Sequence, residues 1–314
     1  MIRQLFSRAG IRFAMSESDT AATKDTFDKP FDIMAPVKHT APLVFNSPHS
    51  GRVYLKEFIA ASRLDLPSLR RSEDTFVEQL FAPVVTLGAP LMHAHFPRAY
   101  LDVNREPYEL DPALIAESLP RYANTQSVRV GGGLGTIARV VTESEEIYAS
   151  PLRLGDVLER INLLYKPYHA ALDELMQDSL LKFGIAVLID CHSMPSSPLF
   201  DTGAARPDFV LGDRFSTSCN PEFTRLVAEH LKSMGYEVAF NKPYAGGFIT
   251  EHYGRPAKGR HALQIEVNRS LYMDEANYER SANFKALRSD ISRLAEKMIE
   301  MAPALFDVPR AAAE

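Results

Sequence analysis

The sequence predicts an α/β fold with a mostly parallel sheet, and three observations carry that prediction. An uninterrupted apolar run, Ile185 to Ile189, breaks off into Asp190, His192 and Ser193. Such a run, rich in β-branched side chains, reads as a strand buried on both faces, as in parallel sheets. Two further segments have strand character and carry polar groups. Leu43 to Phe45 leads into Asn46-Ser-Pro-His-Ser-Gly51, and Ala262 to Arg269 alternates around Glu266. Strand and helix patterns then alternate through the C-terminal half, which requires a sheet covered by helices. Open α/β sheets place their chemistry beyond the C-terminal ends of such strands, so the three segments are expected to converge on one site.

Taken in order, residues 1–30 are expected to form a disordered tail, because the stretch from Met15 to about Pro30 is polar. Residues 31–309 read as a single domain with no internal repeat. Val37 to His39 is expected as an edge strand and Leu43 to Phe45 as a central one. Arg71 to Phe81 reads as a helix, with Ser72 as N-cap, acids in the first turn and Phe76, Leu80 and Phe81 as its apolar stripe. Val84 to Leu87 and Leu91 to Phe96 follow as strands, and Tyr100 to Val103 as a short strand delivering Asn104 and Arg105 to a loop. Gly131 to Arg139 is a glycine-rich loop. Its formal match to a dinucleotide fingerprint carries little weight, because the β-prone Arg139-Val-Val-Thr142 stands where a helix should begin. Arg153 to Phe183 follows the helical period, with a break or kink expected at Pro167. Asp208 to Gly212 and Glu237 to Phe240 read as strands. Pro221 to Met234 and about Asn277 to Met301 read as amphipathic helices.

Composition sets bounds on function. The 314 residues carry a formal net charge of −5, with 46% hydrophobic and 24% charged residues. That balance suits a soluble globular protein and argues against a nucleic-acid binder, whose footprint is a basic face. No segment reaches the roughly 18 continuous apolar residues of a membrane span, and the N-terminus lacks the apolar core of a signal peptide. Two cysteines make no disulfide framework, which points to a reducing cytoplasm.

The chemistry-bearing residues suggest a metal site. A mononuclear hydrolytic ion needs three nitrogen or oxygen ligands and one open position. His49 and His192 each follow a buried strand, and the third ligand should be a carboxylate, for which Glu73 and Asp74 both qualify. The competing reading makes those acids helix N-terminal charges and the histidines hydrogen-bonded structural residues. His93 and His95 alternate on one strand and read either as a ligand pair on one strand face or, the preferred reading, as sheet-surface residues. Glu266 is either an outward, solvated strand residue or a general base raised in pKa by desolvation. Arg98, Arg105, Arg139 and Arg269 recur at strand ends and in loops, which favours an anionic substrate.

These pieces resemble the N-formylglutamate amidohydrolase family. The likeness rests on Asn46-Ser-Pro-His-Ser-Gly51, Ser72-Glu-Asp74, Asp102-Val-Asn-Arg105, Gly133-Leu-Gly135 with Arg139, Pro167-Tyr-His169, Asp190-Cys-His-Ser193, Asn241-Lys-Pro-Tyr-Ala-Gly-Gly247 and Gln264 to Asp274. Each motif is weak alone, but their order over residues 46–274 is specific. The resemblance implies a three-layer α/β/α, phosphorylase/hydrolase-like fold with a mostly parallel mixed sheet, akin to zinc carboxypeptidases. It implies one Zn²⁺ held by His49, Asp74 and His192, Glu266 as general base and cleavage of N-formyl-L-glutamate to formate and L-glutamate in histidine degradation. Arg105 is then expected to stabilise the oxyanion. Arg139 and Arg269, with the backbone of Gly246 and Gly247, are expected to hold the substrate carboxylates, and Arg98 and Asn104 to line the same pocket. The expected partner is a small anionic N-acyl amino acid, with no nucleic acid or membrane. The rival readings are a zinc deacylase of another N-acyl amino acid or small amide, and a metal-free binding protein on the same fold.

Overall fold

The computed structural model describes residues 26–141, 145–197 and 206–306. The chain begins with β1 (Phe31–Met34) and β2 (Leu43–Ser47). Three short helices follow, α1 (Lys56–Ala61), α2 (Leu66–Arg70) and α3 (Val77–Phe81), before β3 (Leu91–Ala94). A long irregular stretch contains the single helical turn α4 (Val128–Gly131). Then come α5 (Leu154–Arg160) and α6 (Lys166–Phe183), which lead into β4 (Ala186–Met194). The C-terminal half alternates as expected: β5 (Phe209–Gly212), α7 (Pro221–Ser233), β6 (Val238–Phe240), α8 (Phe248–Tyr253), β7 (Arg260–Asn268). It ends with the small hairpin strands β8 (Met273–Asp274) and β9 (Glu279–Arg280) and the helix α9 (Phe284–Leu305).

Seven strands form one sheet in the order β1-β3-β2-β4-β7-β5-β6. The four pairings β3/β2, β2/β4, β4/β7 and β5/β6 are parallel, whereas β1/β3 and β5/β7 are antiparallel. Period-2 alternation sorts the central strands between two cores. Phe45, Val187, Ile189, Leu263 and Ile265 pack against α3, α7 and α9. Val44, Met92, Leu188 and Ala262 pack against α5, α6 and α8. Helices therefore cover both faces, and β4 is buried along its whole length. That is the environment a continuous apolar strand requires.

Several local expectations are corrected. The edge strand is Phe31–Met34, and Val37 is fully exposed. Most of the expected tail lies outside the described residues, but Phe27 packs edge-on against Phe96 and Tyr100. Ala82–Val85 is a tight helical turn rather than a strand: Pro83 sits at its start, and Gly88 closes it with a positive φ. The expected helix from Arg71 starts only at Val77, because Phe76 adopts φ 68°. Ser72 therefore does not cap that helix; its hydroxyl donates to the Leu69 carbonyl at 3.3 Å in the last turn of α2, and Glu73 and Asp74 stand in a loop. Tyr100 to Val103 is likewise irregular. Pro167 does not break its helix. A wide turn over Ile161–Tyr165 precedes it and absorbs the missing N–H.

Candidate metal centre

The site forms on the face of the sheet covered by α6. Asp190 and His192 are two residues apart on β4 and so project to the same side. Neighbouring strands supply the rest: Asn46 stands opposite Asp190 on β2, and Gln264 and Glu266 stand opposite Asp190 and His192 on β7. His49 comes from the loop after β2. Asp74 is tied to that loop through its backbone, since its N–H donates to the carbonyl of His49 at 3.0 Å.

His49, Asp74 and His192 converge, each buried, with one donor atom apiece within 4.8 Å of the others. Asp74 Oδ2 lies 3.0 Å from His192 Nδ1 and 3.5 Å from His49 Nδ1. Each ring is anchored on its far side by a further carboxylate. His49 Nε2–H donates to Asp102 Oδ1 at 2.7 Å, and His192 Nε2–H donates to Asp190 Oδ2 at 2.9 Å. Among the described residues, His49 Nδ1 is buried with no hydrogen-bond partner. A buried imidazole nitrogen left open, facing a carboxylate and a second imidazole, is the arrangement expected where a cation fits. Carboxylate–histidine pairs are the usual outer support of such ligands.

The anchors are themselves held. Tyr168 O–H donates to Asn46 Oδ1 at 2.5 Å, and Asn46 Nδ2 donates to Asp190 Oδ1 at 2.9 Å. Arg98 donates to Asp102 Oδ2 at 2.8 Å, and the Arg105 guanidinium lies 3.7 Å from the same oxygen. Burial alone would raise the Asp102 pKa, but Arg98, Arg105 and His49 outweigh it and hold the group well below the usual range. Asp74 is also depressed, because His192 and His49 oppose its desolvation. Burial would lower His192, yet Asp190 and Asp74 hold it well above its ordinary value. Glu266 behaves differently. Desolvation, with Asp74 nearby, pushes it up to about 7 against the pull of His192, Arg98 and Arg269.

Glu73, the other candidate ligand, faces away. Arg70, Tyr54 and Thr75 all donate to its carboxylate. Asp74, Asp102, His192, Glu266, Arg98, Arg105 and Arg269 line one cavity of about 760 Å³, together with Leu134, Gly135, Ala138 and Val140. Arg269 donates to Ser193 Oγ and to Asp74 Oδ1. Arg105 spends two donors on the carbonyls of Leu134 and Asn104.

Four expected pocket residues, Asn104, Arg139, Gly246 and Gly247, stand outside that lining. Arg139 is ion-paired with Asp111 at 2.7 Å and Glu146 at 3.3 Å in a separate surface hollow, so its guanidinium ties the glycine-rich loop together. Gly247 gives its N–H to Gln264 Oε1 at 2.8 Å, and a Cβ there would fall 2.4 Å from the Asn104 side chain. Gly246 is set in the same turn, with φ 111°. Asn104 sits behind His192, its Nδ2 3.4 Å from the ring. Sequence reasoning missed the supporting roles of Asp102, Asp190 and Gln264, and it missed Arg71, which lines the cavity mouth. Gln264 Nε2 donates to Glu266 Oε1 at 2.8 Å. Its spacing of two from Glu266 on an alternating strand was the available signal.

Comparison with known proteins places the chain. The family model described as N-formylglutamate amidohydrolase matches residues 41–273. An N-formylglutamate deformylase from Pseudomonas putida is 30% identical over 239 residues, covering 74% of this chain and 82% of that protein. One from Pseudomonas aeruginosa is 29% identical over 266 residues, covering 82% and 92%. The crystal structure of N-formylglutamate amidohydrolase from Ralstonia eutropha JMP134 superposes with a TM-score of 0.83 at 36% identity, covering 88% of this chain and 99% of that one. A gene product of Agrobacterium tumefaciens, 16% identical, shares the fold with a TM-score of 0.62 over 87% of this chain and 94% of its own. With most of its length matched by the family model and by that crystal structure, the chain belongs to the N-formylglutamate amidohydrolase family.

Proposed function

We propose that this chain hydrolyses the formamide bond of N-formyl-L-glutamate, releasing formate and L-glutamate, with one divalent cation held by His49, Asp74 and His192. The observation that carries the reading is the buried His49–Asp74–His192 triangle, backed by Asp102 and Asp190 and opening on the same cavity as Glu266. We take the ion to be Zn²⁺, which suits two imidazoles and a carboxylate; kinship with zinc carboxypeptidases is part of the same reading. A cation so held supplies Lewis-acid polarisation of the formyl oxygen and acidification of a water molecule.

The residues divide the remaining work. Glu266, held by Gln264, takes a proton from water as its oxygen bonds to the formyl carbon. It returns that proton to the nitrogen as the C–N bond breaks, so the amine leaves neutral. Arg105 faces the charge that develops on the formyl oxygen. Arg71, Arg98 and Arg269 line the cavity with it and provide counter-charge for the two glutamate carboxylates. The reaction belongs, on this reading, to histidine degradation in the cytoplasm, where the buried thiols Cys191 and Cys219 remain reduced.

The test is formate release from N-formyl-L-glutamate, with N-acetyl-L-glutamate as comparison, before and after chelation and after return of Zn²⁺. Activity should vanish with the ion and return with it, and the formyl compound should be preferred. Glu266→Gln should cost about 10²–10⁴-fold in kcat with the ion still bound. Undiminished turnover in chelated protein or in Glu266→Gln removes the reading.

A further inference from the structure

We infer that the β1 edge of the sheet carries a second metal site, built from Asp32, His93 and His95, which takes an imidazole-preferring divalent ion such as Zn²⁺, Ni²⁺ or Cu²⁺. Asp32 and His93 are direct cross-strand partners in the antiparallel β1/β3 pair. His95 follows two residues on, so all three side chains project from the same face. That face is opposite to the one bearing Asp190, His192 and Glu266, and none of the three residues lines the central cavity. One donor atom from each lies within 4.8 Å of the others, and the two rings are 5.1 Å apart.

The tautomer of His95 is already set. Its Nδ1–H donates to the Lys29 carbonyl at 2.9 Å, which leaves Nε2 facing Asp32 Oδ2 at 3.2 Å. An imidazole oriented through one nitrogen by a backbone carbonyl, with the other aimed at a carboxylate, is the outer-support pattern of bound metal ions. The Asp32 side chain is 32% exposed and that of His95 24%, so water can complete the coordination. Lys29 Nζ pairs with Asp32 and occupies the position as a rival cation. Its side chain is 63% exposed and can swing clear. An ion here would clip β1, a four-residue edge strand that among the described residues pairs only with β3, to the body of the sheet.

The test is equilibrium dialysis of chelator-stripped, full-length protein against Zn²⁺, with the bound ion counted by elemental analysis. Wild-type protein should hold two ions. His93→Gln/His95→Gln should hold one and retain its rate of formamide hydrolysis, and His49→Gln/His192→Gln should hold one while losing that rate. Lys29→Ala, which removes the rival cation, should bind the edge ion more tightly. An unchanged ion count in His93→Gln/His95→Gln, no ion in His49→Gln/His192→Gln, or unchanged edge-ion affinity in Lys29→Ala overturns the inference. Loss of the central ion alone speaks against the proposed function and not against the edge site.

Discussion

His49 can offer Nδ1 to an ion only while its other nitrogen stays engaged, and Asp102 is the group that engages it, at 2.7 Å. Asp102→Asn keeps the shape but removes the charge that holds the ring and that Arg98 and Arg105 face. Ion affinity should fall about 10–100-fold, as for other outer-support carboxylates, measured by competition with a metallochromic chelator. Equal affinity would take Asp102 out of the site. Glu266 gives a pH prediction. Its folded pKa, raised to about 7, exceeds its unfolded value, so its contribution to stability is fully present below the unfolded pKa and is lost as pH rises through the folded one. Asp74 and Asp102 have the opposite sign, but they are common to the wild type and a Gln variant. In chelated protein, the stability gained by Glu266→Gln should therefore grow as pH rises towards about 7 and level off above it. A pH-independent difference in unfolding midpoint would contradict this. His49, His192 and Glu266 were legible because each sits at or beside an apolar strand. Asp102 and Asp190 were visible as acids in apolar surroundings, but their partners come from distant segments that spacing cannot reveal. Arg139 shows the reverse limit: its charge was legible, but its partners, Asp111 and Glu146, lie off the pocket.

At the scale of elements, the β4/β7 register does most of the assembly, pairing His192 with Glu266 and Asp190 with Gln264. Both strands were evident from hydrophobic pattern alone, although the register was not. The failures share a cause. Val84 to Leu87 looked like a strand because short apolar runs do not distinguish a strand from a tight helical turn, and Pro83 and Gly88 decide for the turn. Arg71 to Phe81 looked like one helix because the acids and the apolar stripe fit, but the left-handed backbone at Phe76 divides it and frees Asp74 to reach the histidines. Helix α6 contributes a contact that no pattern announces: Tyr168, fully buried, donates to Asn46 and so fixes Asp190. Tyr168→Phe keeps the ring packing and leaves Asn46 Oδ1 buried without a donor. It should cost about 1–3 kcal/mol in urea unfolding. A change near zero would mean that Asn46 finds another partner.

For the whole molecule, a mostly parallel sheet followed from the alternation of elements, and the four parallel pairings, with a core on either side of β4, bear that out. The consequence of that architecture is that the three central donors come from separate parts of the chain: the loop after β2, the segment before α3 and the end of β4. Unfolding disperses them, so an ion bound there stabilises only the folded state. At free ion about 100 times Kd the gain is about 2.7 kcal/mol. With an unfolding entropy of ~2.1 cal/mol/K per residue, a 314-residue chain has roughly 0.7 kcal/mol/K, and the midpoint should rise by about 4 °C. His49→Gln should lose this increment and keep whatever shift the Asp32–His93–His95 edge contributes, so the difference between the two proteins isolates the central ion. The increment should also shrink as pH falls. Asp190 holds His192 protonated beyond its ordinary range, and an ion must displace that proton to reach Nδ1. A midpoint shift of equal size in His49→Gln, or one that does not diminish under acid conditions, would mean that the stabilising ion binds somewhere other than between these two imidazoles and Asp74.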